Sequence, residues 1–130
     1  MGTFSSANAA IQGAGIIDGL AMTSSITRSP KKWSIHDDYP NGVIDMELSK
    51  VRVPTLVLAH KNDGCDKTPA ADAEKLAAAF SGASKTEVKI LDGGWPPKSK
   101  PCDALSEHGF YGIEDQAVTT IVTFIKANLK

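Results

Sequence analysis

Two side chains in this sequence could move a proton: an acid in a tight turn and a histidine in a long loop. Asp63 lies in Asn62-Asp63-Gly64, directly after an apolar run, and His108 stands before Gly109 towards the end of a loop that opens at Trp95. An imidazole takes a proton from an attacking hydroxyl only when one ring nitrogen is free and the other is held by an acceptor. A histidine that acts as a general base therefore needs a carboxylate fixed beside it. Each residue also has a plainer reading, since Asp before Gly is a good turn residue and a histidine beside glycine suits a surface loop. Ser24 and Ser25 read as polar residues at a strand end rather than as nucleophiles. His36-Asp37-Asp38 holds three metal-ligand types, but three adjacent residues cannot all face one ion from regular structure, so it reads as a solvated loop.

The elements that would carry Asp63 and His108 follow from the apolar pattern. Thr55-Leu56-Val57-Leu58-Ala59 has no alternation, which fits a strand covered on both faces of a parallel sheet, with Pro54 at its opening. Asp63 then falls at the carboxyl end of that strand, where open α/β sheets place their chemistry. Thr68 reads as an N-cap and Pro69 as a first helical residue. Ala73, Leu76, Ala77 and Phe80 repeat at helical spacing until Gly82. Glu87 to Leu91 is the next strand, closed by Gly93-Gly94, and strand-helix-strand makes a right-handed parallel crossover. The loop from Trp95 to Tyr111 carries Pro96, Pro97, Pro101 and Cys102 before His108, and long ordered loops in small domains are usually functional. A helix from about Ile113 to Leu129 closes the chain, with Val118, Ile121, Val122 and Ile125 as the stripe expected to cover the sheet.

Ahead of these elements, Thr3 to Gln12 is a weakly amphipathic helix stopped by Gly13 and Gly15, and Gly19 to Ile26 is a short buried strand. The glycines of GAGIIDG follow a helix rather than a strand, which argues against a dinucleotide loop. Thr27 to Lys50 is irregular, too short for a substantial helical lid, with Val43 to Leu48 as a helical turn or an edge strand.

With 130 residues, 42 % of them hydrophobic and 22 % charged, the chain is expected to form a single domain, 1–130, with one core. A net charge of -1 provides no basic footprint for nucleic acid. No apolar stretch approaches the ~20 residues of a membrane span, and the first residues, with no Lys or Arg before Arg28, do not read as a signal peptide.

From about Val51 onward, the order is apolar strand, turn with Asp63, capped helix, strand, loop with His-Gly, and amphipathic helix. It resembles the last third of the α/β-hydrolases, in which acid and histidine follow the nucleophile in that order. The residues that carry the resemblance are Pro54-Thr55-Leu56-Val57-Leu58 with Asp63, and Ser106-Glu107-His108-Gly109-Phe110. It implies a partial α/β-hydrolase fold of three parallel strands, near Leu20, Leu56 and Ile90, with flanking helices. In it His108 would be the general base and Asp63 the acid that orients it. The family's nucleophile motif, G-x-S-x-G, is absent. Aligned on that motif, Gly2 would match its last glycine and Met1 the residue after the serine, so Met1 would offer an oxyanion-hole N–H. The serine would fall just before Met1, as though the sequence were the carboxyl-terminal portion of a hydrolase cut at the nucleophile turn.

Several expectations depend on that resemblance. Cys65 lies two residues past Asp63 and Cys102 six before His108, so joining the acid to the base also brings the thiols together. A disulfide is then feasible, and two free thiols are the alternative. A bridged pair would place the parent protein in an oxidising compartment, exported or periplasmic, and free thiols would suit the cytoplasm. A zinc site using Cys65, Cys102 and His60 or His108 matches no paired-ligand spacing, and neither metal nor cofactor is expected. The function expected is the acid and base part of an esterase-, lipase- or thioesterase-like serine hydrolase, acting on a small-molecule ester, thioester or amide. Without its nucleophile this chain should be inactive, and a non-catalytic binding or structural module on the same fold is the alternative. A nucleotide-binding fragment is disfavoured because no glycine loop follows a strand. Trp33, Tyr39, Trp95 and Phe110 could line a pocket or merely pack. The first strand would leave one edge unpaired, which favours self-association.

Overall fold

A computed structural model describes residues 1–128. Helix α1 spans Gly2–Gln12, strand β1 Leu20–Thr23, β2 Thr55–His60, helix α2 Ala73–Ala79, β3 Thr86–Leu91 and helix α3 Glu114–Asn128. The three strands form one open parallel sheet in the order β1-β2-β3, with the helices flanking it. Register runs from Leu20 opposite Thr55 to Thr23 opposite Leu58, and from Thr55 opposite Thr86 to His60 opposite Leu91.

The missing alternation in β2 has a direct structural cause. All six of its residues are buried, because each face of the central strand has its own core. On one face Val57 and Ala59 pack with Ala7 and Ala10 of α1, Leu76 of α2, Phe80, Met22 and Val43. On the other, Leu56 and Leu58 pack with Phe110, Ile113, and Ala117 and Phe124 of α3. The two clusters sandwich the sheet, which fixes the height at which the loops after β2 and β3 emerge.

Three expectations about elements need correction. Strand β1 ends at Thr23 rather than Ile26, because Ser24 takes a positive φ of 41° and turns the chain out of the sheet. Of the two readings of Val43 to Leu48, the helical turn is the one present: a 3-10 turn, Gly42–Asp45, tied back by the Val43 N–H to the Ile26 carbonyl at 2.9 Å. Thr68 does not cap α2. That helix is preceded by a 3-10 turn, Ala70–Asp72, and ends at Ala79, before Gly82; neither start has a side-chain cap. In α3 Ala117 and Phe124 are buried and Ile121, the one member of the expected stripe that faces the sheet, packs partly buried beside them, whereas Val118, Val122 and Ile125 are 59 %, 40 % and 43 % exposed. Both lines have helical spacing, so periodicity could not choose between them. The side with Phe124 removes more apolar area from water. The expected end of this helix at Leu129 lies outside the described residues. No helix among the described residues is long and apolar enough to cross a membrane.

Candidate functional site

The turn after β2 sets the acid. The Asp63 N–H donates to the His60 carbonyl at 3.1 Å, and its Oδ1 accepts the Cys65 N–H at 2.9 Å, an Asx turn that holds the carboxylate inward. His60 is the hidden support of this turn. Its Nδ1 accepts the Asn62 N–H at 3.0 Å, and its Nε2 lies 2.8 Å from the Gly93 carbonyl, so the donor is Nε2–H and the turn is pinned to the chain leaving β3. His60 is 1 % exposed, and the Asp63 side chain is fully buried.

The loop after β3 sets the imidazole. His108 lies in a 3-10 turn, Glu107–Gly109. The buried Ser106 hydroxyl reaches the carbonyls of Pro101 and Asp103 at 3.0 and 2.8 Å. At Gly109 a Cβ would collide with the backbone carbonyl of Ala104, so the close approach of the two loop limbs requires glycine there. From the neighbouring strand the Ser24 hydroxyl donates to the His108 carbonyl at 2.7 Å. The positive φ at Ser24 accompanies a side chain anchored on the loop that carries His108.

These supports bring Asp63 and His108 together across 45 positions of sequence, with His108 Nδ1 at 3.1 Å from Asp63 Oδ2. Thr68 joins them: its Oγ1 lies 2.8 Å from the same Oδ2 and 3.0 Å from the same Nδ1. The carboxylate thus meets three donors, from Cys65, Thr68 and His108. His108 Nε2 has no hydrogen-bond partner among the described residues, and His108 lines an open cavity of about 640 Å³. Met1, Gly2 and Thr3 at the start of α1, Ala21 to Ser24, and Ala104 and Phe110 of the His108 loop also line it. No Lys, Arg, Asp or Glu among the described residues lines it.

Met1 stands at the N-cap of α1 and is 67 % exposed. The first N–H groups of a helix have no intrahelical partner and carry its positive dipole end. Among the described residues the first strand has one edge without a partner strand. The Leu20 and Ser24 N–H groups donate to the carbonyls of Pro54, just before β2, and Leu58, so by parallel alternation the N–H and C=O of Ala21 and Thr23, both of which line the cavity, point away from β2. Of the four aromatic residues considered for a pocket, Phe110 lines the cavity. Trp95 packs edge-on against Tyr111 and Tyr39 against Phe4, and Trp33 is not among the lining residues.

The sulfurs of Cys65 and Cys102 stand at bonding distance, with Cα atoms 4.7 Å apart, joining the Asp63 loop to the His108 loop. The Asp66 carboxylate is within 4.8 Å of both sulfurs, but sulfurs bonded to each other offer no thiolates to a metal. The zinc alternative also needed His60 or His108, and neither is in that cluster. His36 Nδ1 lies 2.7 Å from the Ser29 carbonyl, and Asp37 and Asp38 are exposed; they form no ligand cluster among the described residues.

Sequence reasoning missed three supports, His60, Thr68 and Ser24. Thr68 was hidden by its place before Pro69, which imitates a helix start, and His60 by its continuity with an apolar strand. No protein-family model, curated protein or solved structure matches this chain.

Proposed function

We propose that this chain supplies the acid and the base of a serine hydrolase with an α/β-hydrolase-like fold, acting on an ester, thioester or amide of a small or lipid-like molecule. The observation that carries the reading is the asymmetry of the His108 ring. One nitrogen is held by a buried carboxylate, the other has no hydrogen-bond partner among the described residues, and His108 lines a cavity large enough for a small substrate. In the reaction His108 Nε2 takes the proton of an attacking hydroxyl and later returns it to the leaving group. Asp63 holds the ring and stabilises the imidazolium formed in between. The first N–H groups of α1 would face the oxyanion. A lining without Lys, Arg, Asp or Glu side chains suits a neutral acyl group.

The attacking hydroxyl is not assigned to this chain. Ser24 borders the cavity, but its proton is committed to the His108 carbonyl. That same observation favours the second reading, a non-catalytic module that binds a small molecule beside His108.

Placing a strand that ends in Gly-x-Ser ahead of Met1 separates the two readings. The expected result is hydrolysis of p-nitrophenyl butyrate that falls roughly 10²–10⁴-fold in His108→Ala, while the unextended chain shows no His108-dependent hydrolysis. Turnover by a folded, extended chain that ignores His108→Ala would remove the hydrolase reading. A folded, extended chain that binds the ester without turning it over would leave the binding module.

A further inference from the structure

Thr68 stands between Asp63 and His108 with its hydroxyl spent on neither turn nor helix. It is 3 % exposed and makes no cap bond to the turn that follows it. Thr68 Oγ1, Asp63 Oδ2 and His108 Nδ1 form a triangle with sides of 2.8, 3.0 and 3.1 Å, each of hydrogen-bond length. Protons decide how such a triangle is filled. An ionised carboxylate brings none, the hydroxyl brings one, and a neutral imidazole brings one that sits on either nitrogen. If the ring proton were on Nε2, the hydroxyl proton alone would serve three sides, and the Nδ1 lone pair would face a lone pair of a fully buried carboxylate. Buried acceptors are rarely left that way. With the ring proton on Nδ1 every side is served: Thr68 donates to Asp63 Oδ2, and Nδ1–H is shared between Oδ2 and Thr68 Oγ1.

We infer that Thr68 is a positioning residue of the Asp63–His108 couple: its hydroxyl gives its proton to Asp63 and accepts the His108 Nδ1–H, locking the neutral ring with its Nε2 lone pair free. The residue is suited to this. Its backbone is restricted by Pro69, its N–H donates to the Cys65 carbonyl at 3.1 Å, and its β-branch limits χ1. Ser24 fixes the main chain of His108 and Thr68 fixes the ring, so the base is held at two independent points. The inference deepens the function proposed above, on which its catalytic meaning rests. The tautomer itself is independent of any hydrolysis, so the two can fail separately.

The test is long-range ¹H–¹⁵N spectroscopy of the histidine rings in the ¹⁵N-labelled chain at about pH 9, where an imidazole is neutral. His60 is the internal control, expected as the Nε2–H form from its bond to the Gly93 carbonyl. His108 is expected as the opposite form, Nδ1–H, with a slowly exchanging proton that shows a through-space contact to Thr68. Thr68→Ser should keep that signal. Thr68→Val should keep the fold but speed exchange of the Nδ1 proton roughly tenfold, the effect of losing one of its two acceptors. Thr68→Ala repeats the measurement should valine disturb folding. An Nε2–H ring in the unmodified chain would overturn the inference, as would exchange in the valine or alanine variant that matches the unmodified chain.

Discussion

Replacing both Cys65 and Cys102 by Ser probes the tether between the acid and base loops. The bridge spans 37 positions of sequence. Closing a loop of that length removes about 13 cal/mol/K from the unfolded chain, or about 4 kcal/mol at room temperature. Set against the ~5–15 kcal/mol that holds a typical domain folded, this is a large share. With a urea slope of about 1.5–2 kcal/mol/M, the unfolding midpoint should fall by about 2 M. The site should respond as well. The Cys65 N–H is one of the three donors on Asp63, and Cys102 opens the limb that turns at Ser106 into His108. Urea titrations of the unmodified chain, the same chain under reductant, and the double variant should therefore place the last two together and well below the first. The His108 resonances should move in the same two samples. A midpoint within about 0.3 M of the unmodified chain would refute the loop-entropy argument, since that is well under 1 kcal/mol at this slope. Two titratable thiols in the unreduced native protein would refute the bridge itself.

Gly109→Ala should cost roughly 1–3 kcal/mol, because the new Cβ meets the Ala104 backbone carbonyl rather than a side chain that can yield; an unchanged midpoint in urea would refute this. The Asp72 carboxyl is held below the usual carboxylate range chiefly by its hydrogen bond to Arg28, opposed by burial and helped by the Thr27 hydroxyl. A carboxyl depressed on folding adds stability above its unfolded value, near pH 4, and loses it as the pH falls through the folded one. The unmodified chain should therefore exceed Arg28→Ala in stability at about pH 7 and lose that margin as the pH falls below the unfolded value through the folded one. A gap that stays constant across that range would contradict the pairing. Self-association through the open edge of β1 should weaken in Thr23→Lys, and further with Val122→Lys on the exposed line of α3. Equal sedimentation of all three chains at matched concentration would rule that edge out.

What was legible in the sequence is what local physics dictates. The unbroken run Thr55 to Ala59 required a strand with two covered faces, and it has them. The turn at Asp63, the strand at Glu87 to Leu91 and the helix after Ile113 were marked by turn residues and periodicity, which act within a few residues of chain. Tertiary structure decided the rest. Two lines of α3 were equally periodic, and packing against Leu56 and Leu58 chose Ala117, Ile121 and Phe124. Thr68 had every local mark of a helix cap, yet its hydroxyl turned to a carboxylate five positions earlier and a ring forty positions later. Ser24 looked like the end of a strand and became the anchor of a loop 84 positions away. Local pattern reports the covalent neighbours of a residue, whereas a hydrogen bond goes to whichever buried group most needs a partner. That need exists only once the sheet has brought distant loops to the same rim.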